Sequence, residues 1–180
     1  MTPDRTIRPG IPRRAARGLA AAIAAVCAVG AAQADERYLG VFVGSRHIGS
    51  DLYNDVNPGL TFGLRRPLGA RGVELHGEAG VFLNSYEEVS PIALAGVSAP
   101  VARLGQGELR LGASAGVAYY GELAEAFERE GRFLPEVGGF VPIGVLTAAW
   151  RAGRVETRIN VLPYGDDVDG VVNLSFAVSF

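Results

Sequence analysis

Two histidines, His47 and His76, are the only imidazole side chains in this 180-residue sequence. Imidazole is the side chain that most often transfers protons in catalysis, and it activates a serine hydroxyl within hydrogen-bond reach. His47 stands in the first long loop, and Ser85 follows the third strand-like segment. If the strands between them run up and down, both residues rise at the same rim. This placement predicts a pair suited to hydrolase or transferase chemistry. The alternative is two ordinary loop residues.

The neighbours of these residues narrow the possible chemistry. Asn84 stands directly before Ser85, in the stretch "FLNSYEEVS". His76 shares its strand parity with Glu74 and Glu78, so it is expected to point into the lumen of a barrel as a member of a polar network. The sequence has no metal-ligand spacing, phosphate loop or dinucleotide motif. We therefore expect neither a metal nor a cofactor.

The N-terminus has the three parts of a secretory signal: "RTIRPGIPRRAARG", the apolar run "LAAAIAAVCAVGAA" and the cleavage site "AQAD". The apolar run is shorter than the roughly 20 residues that a membrane-spanning helix needs. The sequence therefore predicts a signal peptide over residues 1–34 and one domain over residues 35–180. The only cysteine, Cys27, lies in the removed part, which leaves no thiol for a disulfide or a thiolate site.

The domain carries 12 Arg and 18 acidic residues, because five of the 17 basic residues and one of the 19 acids lie in the signal. Its net charge near −6 makes nucleic acid an unfavourable partner. Short stretches of the domain alternate between apolar and polar residues. In "VVNLSFAVSF", Leu174, Phe176 and Val178 share one face with the terminal Phe180. Such alternation is typical of β-barrels whose outer face meets lipid.

This pattern predicts an all-β fold, an eight-stranded antiparallel transmembrane up-and-down β-barrel. Short turns alternate with long loops, as in outer-membrane barrels, and the long loops hold most of the acids. A secreted barrel of lipocalin type is the alternative, and it would place the aliphatic residues inside. The predicted strands are 37–45, 59–66, 73–83, 91–101, 108–120, 139–150, 154–162 and 170–180.

The predicted fourth strand, "PIALAGVSAPV", is apolar or small on both faces. One face must meet lipid, so the other makes part of the lumen apolar. An apolar pocket inside a small barrel can hold one slender ligand such as an acyl chain. A plain side-chain core is the alternative interpretation.

Several stretches together resemble the outer-membrane lipid A palmitoyltransferase family, the PagP-like enzymes, and in particular its divergent branch. They are a His in the first long loop, then "YNDVNPG", then "FLNSYEEVSPIALAG", then "VLPYG" and a final Phe. The resemblance implies an enzyme of the bacterial outer membrane, working as a monomer without a cofactor. It would move a palmitoyl chain from a phospholipid donor to lipid A.

The resemblance also implies roles for single residues. The catalytic residues would be His47, Asn84 and Ser85. The family has an acid where this chain has Asn84, so a role that needs a negative charge is lost or passes to Asp51, Asp55 or Glu87. The remaining implied residues are an acyl-chain pocket of Gly96, Leu94 and Ile92, with Gly96 at its floor, and lateral lipid gates at Pro58, Pro142 and Pro163.

Two other functions stay open for the same barrel. One is a non-enzymatic structural or adhesion barrel, in which His47 and Ser85 are incidental. The other is a lipid A deacylase, which would shorten lipid A rather than enlarge it.

Overall fold

The computed structural model describes residues 36–50, 54–69, 71–130, 136–163 and 169–180. The predicted signal peptide lies outside these ranges, as does Asp51. Within the described ranges the chain forms eight strands and one helix. They are β1 (Glu36–Ile48), β2 (Gly59–Leu68), β3 (Val73–Leu83), β4 (Val89–Leu104), β5 (Gly107–Tyr119), α1 (Gly121–Arg129), β6 (Phe140–Ala152), β7 (Val155–Leu162) and β8 (Gly170–Ser179).

Each strand pairs antiparallel with the next, and β8 returns to pair with β1. The predicted eight-stranded up-and-down barrel is confirmed. The helix α1 was not predicted, because its segment was expected to be part of a long loop. Leu123 and Phe127 stand four residues apart on one face of α1, and both line the lumen. No helix in the described part of the chain is long and apolar enough to cross a bilayer.

Large apolar side chains cover the outside of the barrel. On β1, Leu39 and Val41 are 44% and 47% exposed, and on β8, Leu174, Phe176 and Val178 are exposed in the same way. The intervening residues point inward, as the alternation predicted. Contiguous apolar surface on this scale is typical of a face that meets lipid. The chain is therefore an outer-membrane-type barrel, and the lipocalin-type alternative, with its aliphatic residues inside, is wrong.

Charged side chains fill the lumen near the short turns. Glu156 accepts hydrogen bonds from Arg65, Arg151 and Arg158, at 2.7, 2.6 and 2.5 Å. Further carboxylates neutralise the same cations, since Glu78 lies 2.8 Å from Arg158. Among the described residues, no buried side-chain nitrogen or oxygen lacks a hydrogen-bond partner. This charge cluster closes the barrel near the short turns with satisfied ion pairs.

The lumen near the long loops is apolar. Ile92, Ala118 and Ile143 form a buried cluster there, and Phe42 and Phe82 pack against it. The two phenylalanine rings meet edge to face, with centroids 5.9 Å apart. The barrel interior therefore has a charged half and an apolar half.

Candidate active site

A β-bulge in β1 aims His47 into the lumen. The β1–β8 register passes from Phe42 opposite Ser175 to Gly44 opposite Leu174, so one extra residue is inserted in β1. Below the bulge the even-numbered residues of β1 face inward, and above it the odd-numbered residues do. His47 is thus 7% exposed and lines the lumen. It lies near the end of β1, which runs to Ile48 and not to residue 45 as predicted.

A tight turn between β3 and β4 holds Ser85. Asn84, which is fully buried, organises this turn through its side chain. Its Oδ1 accepts hydrogen bonds from the backbone N–H groups of Tyr86 and Glu88, both at 2.9 Å. Its Nδ2 donates to Glu88 Oε2 at 3.1 Å and to Ser90 Oγ at 2.9 Å. The amide of Asn84 is therefore engaged within the turn, whereas Ser85 faces the cavity.

Ser85 and His47 meet at the mouth of the lumen. Ser85 Oγ lies 2.9 Å from His47 Nε2, which is hydrogen-bond distance. The other ring nitrogen, Nδ1, lies 3.1 Å from Asp55 Oδ1. Arg46 Nη1 donates to Asp55 Oδ2 at 3.0 Å. Serine, imidazole and carboxylate therefore form one hydrogen-bonded line, which ends at the negative charge of Asp55.

The contact with His47 lowers the pKa of the Asp55 carboxyl. The hydrogen bond from His47 is the main factor that lowers the pKa of Asp55, and Arg46 lowers this pKa further. The carboxyl therefore stays ionised, and it can fix the orientation of the ring.

The loop before β2 is tied to the end of β3, which brings the two halves of the site together. Asn57 accepts a hydrogen bond from Ser45 Oγ of β1 and donates through Nδ2 to the carbonyl oxygen of Leu83 at 3.1 Å. The N–H of Leu83 in turn donates to the carbonyl oxygen of Pro58 at 2.9 Å. Asn57 is 4% exposed, so this link is shielded from water. Asn57 and Pro58 thereby help to position His47 beside Ser85.

A cavity of about 410 Å³ runs into the barrel from this pair. Such a volume lies within the range of about 300 to 1,000 Å³ that is usual for small-molecule pockets. Near the mouth it is lined by Phe42, Phe82, Ile92, Leu94, Ile143 and Val145, together with Leu123 and Phe127 of α1. Ile92 and Leu94 were predicted from the resemblance as pocket residues, whereas α1 was not anticipated. The spacing of its two apolar residues was the signal in the sequence that could have revealed it.

Gly96 faces inward at mid-depth, between His76 on β3 and Ser114 on β5. Because Gly96 has no side chain, His76 Nε2 and Ser114 Oγ reach each other across it, at 2.9 Å. A Cβ at Gly96 would lie 2.4 Å from Ser114 Oγ. Gly96 therefore leaves room for a polar bridge between β3 and β5 inside the lumen.

The three prolines lie beside two seams in the barrel wall. Pairing of β1 with β2 ends at Phe42, and Pro58 directly precedes β2. Pairing of β6 with β7 ends at Leu146, Pro142 lies in the stretch of β6 beyond it, and Pro163 directly follows β7. The β6–β7 seam opens toward the long loops, whereas in the β1–β2 seam the N–H of Ser45 still donates to the carbonyl oxygen of Asp55, at 2.8 Å.

No cluster of three or more His, Cys, Asp or Glu side chains in the described ranges is placed to hold a metal ion.

Comparison with known proteins adds little to this geometry. No protein-family model and no curated protein matches the chain. Among solved structures, the outer membrane protein Ail of Yersinia pestis in a phospholipid bilayer nanodisc is similar, with a TM-score of 0.41 and 11% sequence identity. The match covers 81% of this chain and 99% of Ail. The resemblance to lipid A palmitoyltransferases stays a prediction.

Proposed function

We propose that this chain is an acyltransferase of the bacterial outer membrane that moves a palmitoyl chain from a phospholipid to lipid A. The observation that carries the proposal is the Ser85–His47 pair, 2.9 Å apart, at the mouth of an apolar cavity. A nucleophile or base at the entrance of an apolar pocket suits an ester whose chain lies inside and whose carbonyl stays at the rim.

The surface of the barrel supports this location. Its exposed belt of aliphatic and aromatic side chains suits lipid, and its long loops suit the outer side of an outer membrane. The site lies at the long-loop end and would therefore face the outer leaflet, where lipid A is found. The substrates would be a phospholipid as acyl donor and lipid A as acceptor, with a monomeric barrel between them.

The cavity is proposed to hold the acyl chain of the donor. From Phe82 at the mouth to the charged side chain of Glu78, four residue steps of β3 span roughly 14 Å along the strand. Above Glu78 the lining is mostly apolar, and from Glu78 downward the lumen is charged and polar. A hydrocarbon chain would fill the upper part and stop where the polar groups begin, because those groups are already paired.

The donor would enter through the wall rather than from above. The seam at Pro142 and Pro163 lacks ladder partners toward the long loops, and a proline cannot donate a ladder hydrogen bond. A lipid chain could pass there without breaking paired strands. Beside Pro58, a lipid would have to displace the hydrogen bond from the N–H of Ser45 to the carbonyl oxygen of Asp55. These seams are the proposed lateral gates.

His47 is proposed as the general base and Ser85 as the hydroxyl that it activates. Asn84 is proposed to position Ser85 rather than to contact the ester, since its amide is bonded within the turn. The apolar pocket residues Ile92 and Leu94 hold the chain, and Gly96 permits the bridge beneath it.

Mass spectrometry of lipid A tests the proposal. The native chain would be expressed in cells whose outer membrane is perturbed so that phospholipid enters the outer leaflet, beside His47→Ala and Ser85→Ala. A lumenal serine remote from the site, Ser98, supplies the control Ser98→Ala. We expect one added palmitoyl mass with the native chain and the control, and none with the two site variants.

Two results would overturn the proposal. A loss of one acyl mass from lipid A would identify a deacylase. No change with the native chain, once its presence in the membrane is verified, would favour a structural or adhesion barrel.

A further inference from the structure

We propose that Ser85 is a nucleophile that carries the acyl chain as a covalent ester, with His47 and Asp55 as its base and positioning carboxylate. The inference rests on the proposed function, because it assumes an acyl-ester donor in the cavity. It also adds an activity. An acyl-serine can pass its acyl group to water, so the protein should hydrolyse phospholipid esters when no lipid acceptor is present.

The order of the contacts assigns the roles. His47 Nδ1 lies 3.1 Å from a carboxylate oxygen that can only accept, so Nδ1 carries the proton. Nε2 is then the proton acceptor of the ring, and the hydroxyl of Ser85 lies 2.9 Å from it. If the acyl group passed from donor to acceptor without an enzyme ester, the lone pair of Nε2 would have to face the acceptor hydroxyl instead. The same order of serine, imidazole and carboxylate generates the nucleophile in serine hydrolases on unrelated folds.

Burial supports this assignment. His47 is 7% exposed, and it lines the same cavity as Ser85. The carboxylate of Asp55 is 37% exposed and is shared with Arg46. Its effect on His47 should therefore be weaker than that of a fully buried triad carboxylate.

The first half-reaction forms the acyl-enzyme. Ser85 Oγ bonds to the carbonyl carbon of the donor while its proton passes to His47 Nε2. The bond from that carbon to the glycerol oxygen then breaks, and the leaving oxygen takes the proton from Nε2. The products are a lysophospholipid and an ester on Ser85.

The second half-reaction releases the chain. A hydroxyl of lipid A, or water, gives its proton to His47 Nε2 and attacks the ester carbon. Ser85 leaves and recovers the proton. The outcome is an acylated lipid A or a fatty acid, and no oxidant or reductant is required.

A long-chain alkyl fluorophosphonate tests the nucleophile, because it phosphonylates activated serines and its chain can enter the cavity. The full-length barrel, extracted in detergent, would be treated with this probe and measured by intact-mass and peptide mass spectrometry. We expect one adduct, on Ser85, with fluoride as the leaving group. His47→Ala should slow labelling by about 100-fold or more, because an activated serine loses its base.

Asp55 is tested as a positioning residue with matched variants. Asp55→Asn should slow labelling by roughly 10- to 100-fold, less than the ~10⁴-fold loss known for a buried triad aspartate. Asp55→Glu should recover part of the rate, which a purely structural loss would not allow. Glu122→Gln, which neutralises another acid at the same rim, should label like the native barrel.

The outcomes separate the two proposals. An adduct on Ser85, with phospholipid hydrolysis but no change in lipid A, would retain the nucleophile and refute the proposed acceptor. Acylated lipid A with no adduct on Ser85 would retain the transferase and overturn the covalent step. Equal labelling of Asp55→Asn and the native barrel would overturn the role of Asp55. Each variant is first shown to migrate as a folded barrel in unheated gels.

Discussion

Replacing Glu156 with Gln should destabilise the barrel strongly, because this carboxylate joins three arginines in the closed half of the lumen. Its side chain is 6% exposed, and it accepts hydrogen bonds from Arg65, Arg151 and Arg158 at 2.7, 2.6 and 2.5 Å. Glutamine has nearly the same size, so no cavity is created. The amide nitrogen would instead direct its N–H groups toward a guanidinium, which has only hydrogen-bond donors, so no hydrogen bond could form between them.

The size of the loss follows from the other partners of these cations. Removing one partner of a buried ion pair costs about 3–5 kcal/mol. Here each arginine keeps a second carboxylate: Glu36 for Arg65, Glu74 for Arg151 and Glu78 for Arg158. Because these carboxylates still neutralise the arginines, we expect the loss in the free energy of unfolding to lie at the lower end of this range, about 3 kcal/mol.

Urea unfolding in detergent micelles measures this loss, with the single tryptophan, Trp150, as the probe. Trp150 lies on the outer surface and is 39% exposed, so its fluorescence reports transfer from detergent to water. With an m-value of about 1–3 kcal/mol/M, the unfolding midpoint should fall by roughly 1–3 M. Glu128→Gln on the exposed face of α1 is the control and should change stability by less than about 0.5 kcal/mol. A midpoint for Glu156→Gln within about 0.3 M of the native value would refute the reasoning.

Three further predictions concern other parts of the barrel. Tyr38→Phe removes the buried 2.7 Å hydrogen bond to Glu78 and should lower the free energy of unfolding by about 1–3 kcal/mol in the same assay; no loss would contradict this bond. Gly96→Ala places a Cβ 2.3 Å from the carbonyl oxygen of Ala113, so the wall must shift, and binding of the longest fatty acids that the native barrel takes should weaken in a competition assay. Asp55 should titrate below its ordinary pKa in carbon-detected NMR, and this pKa should rise in His47→Ala. The stabilising effect of the Asp55 carboxylate should persist on acidification until the pH falls through the lowered pKa. An unchanged Asp55 titration in His47→Ala would argue against the contact.

Much of the architecture could be predicted from local sequence. The period-two alternation of β7 and β8 predicted both the strands and the face that points outward, because successive side chains of a strand point to opposite faces of the sheet. The alternation of short turns and long loops predicted that His47 and Ser85 rise at one rim. The helix α1 was missed because its apolar residues lie within a polar, acidic stretch, although their four-residue spacing favours a helix.

The detailed site depended on contacts that local sequence does not encode. Strict alternation along β1 would not place Tyr38 and His47 on the same side of the sheet, since one is even-numbered and the other odd. The bulge above Phe42 reverses the parity, and it is defined only by the register against β8.

The strand count, the apolar outer surface and the common rim of the two candidate residues could be read from side-chain period and loop length alone. The carboxylate that lies beside His47 could not: among the acids of the outer loops, the fold brings Asp55 to its ring. The fold also decided that His76 and Ser114 meet across Gly96. These contacts join residues 8 and 38 positions apart in the sequence, and they form only when barrel closure sets the register of neighbouring strands.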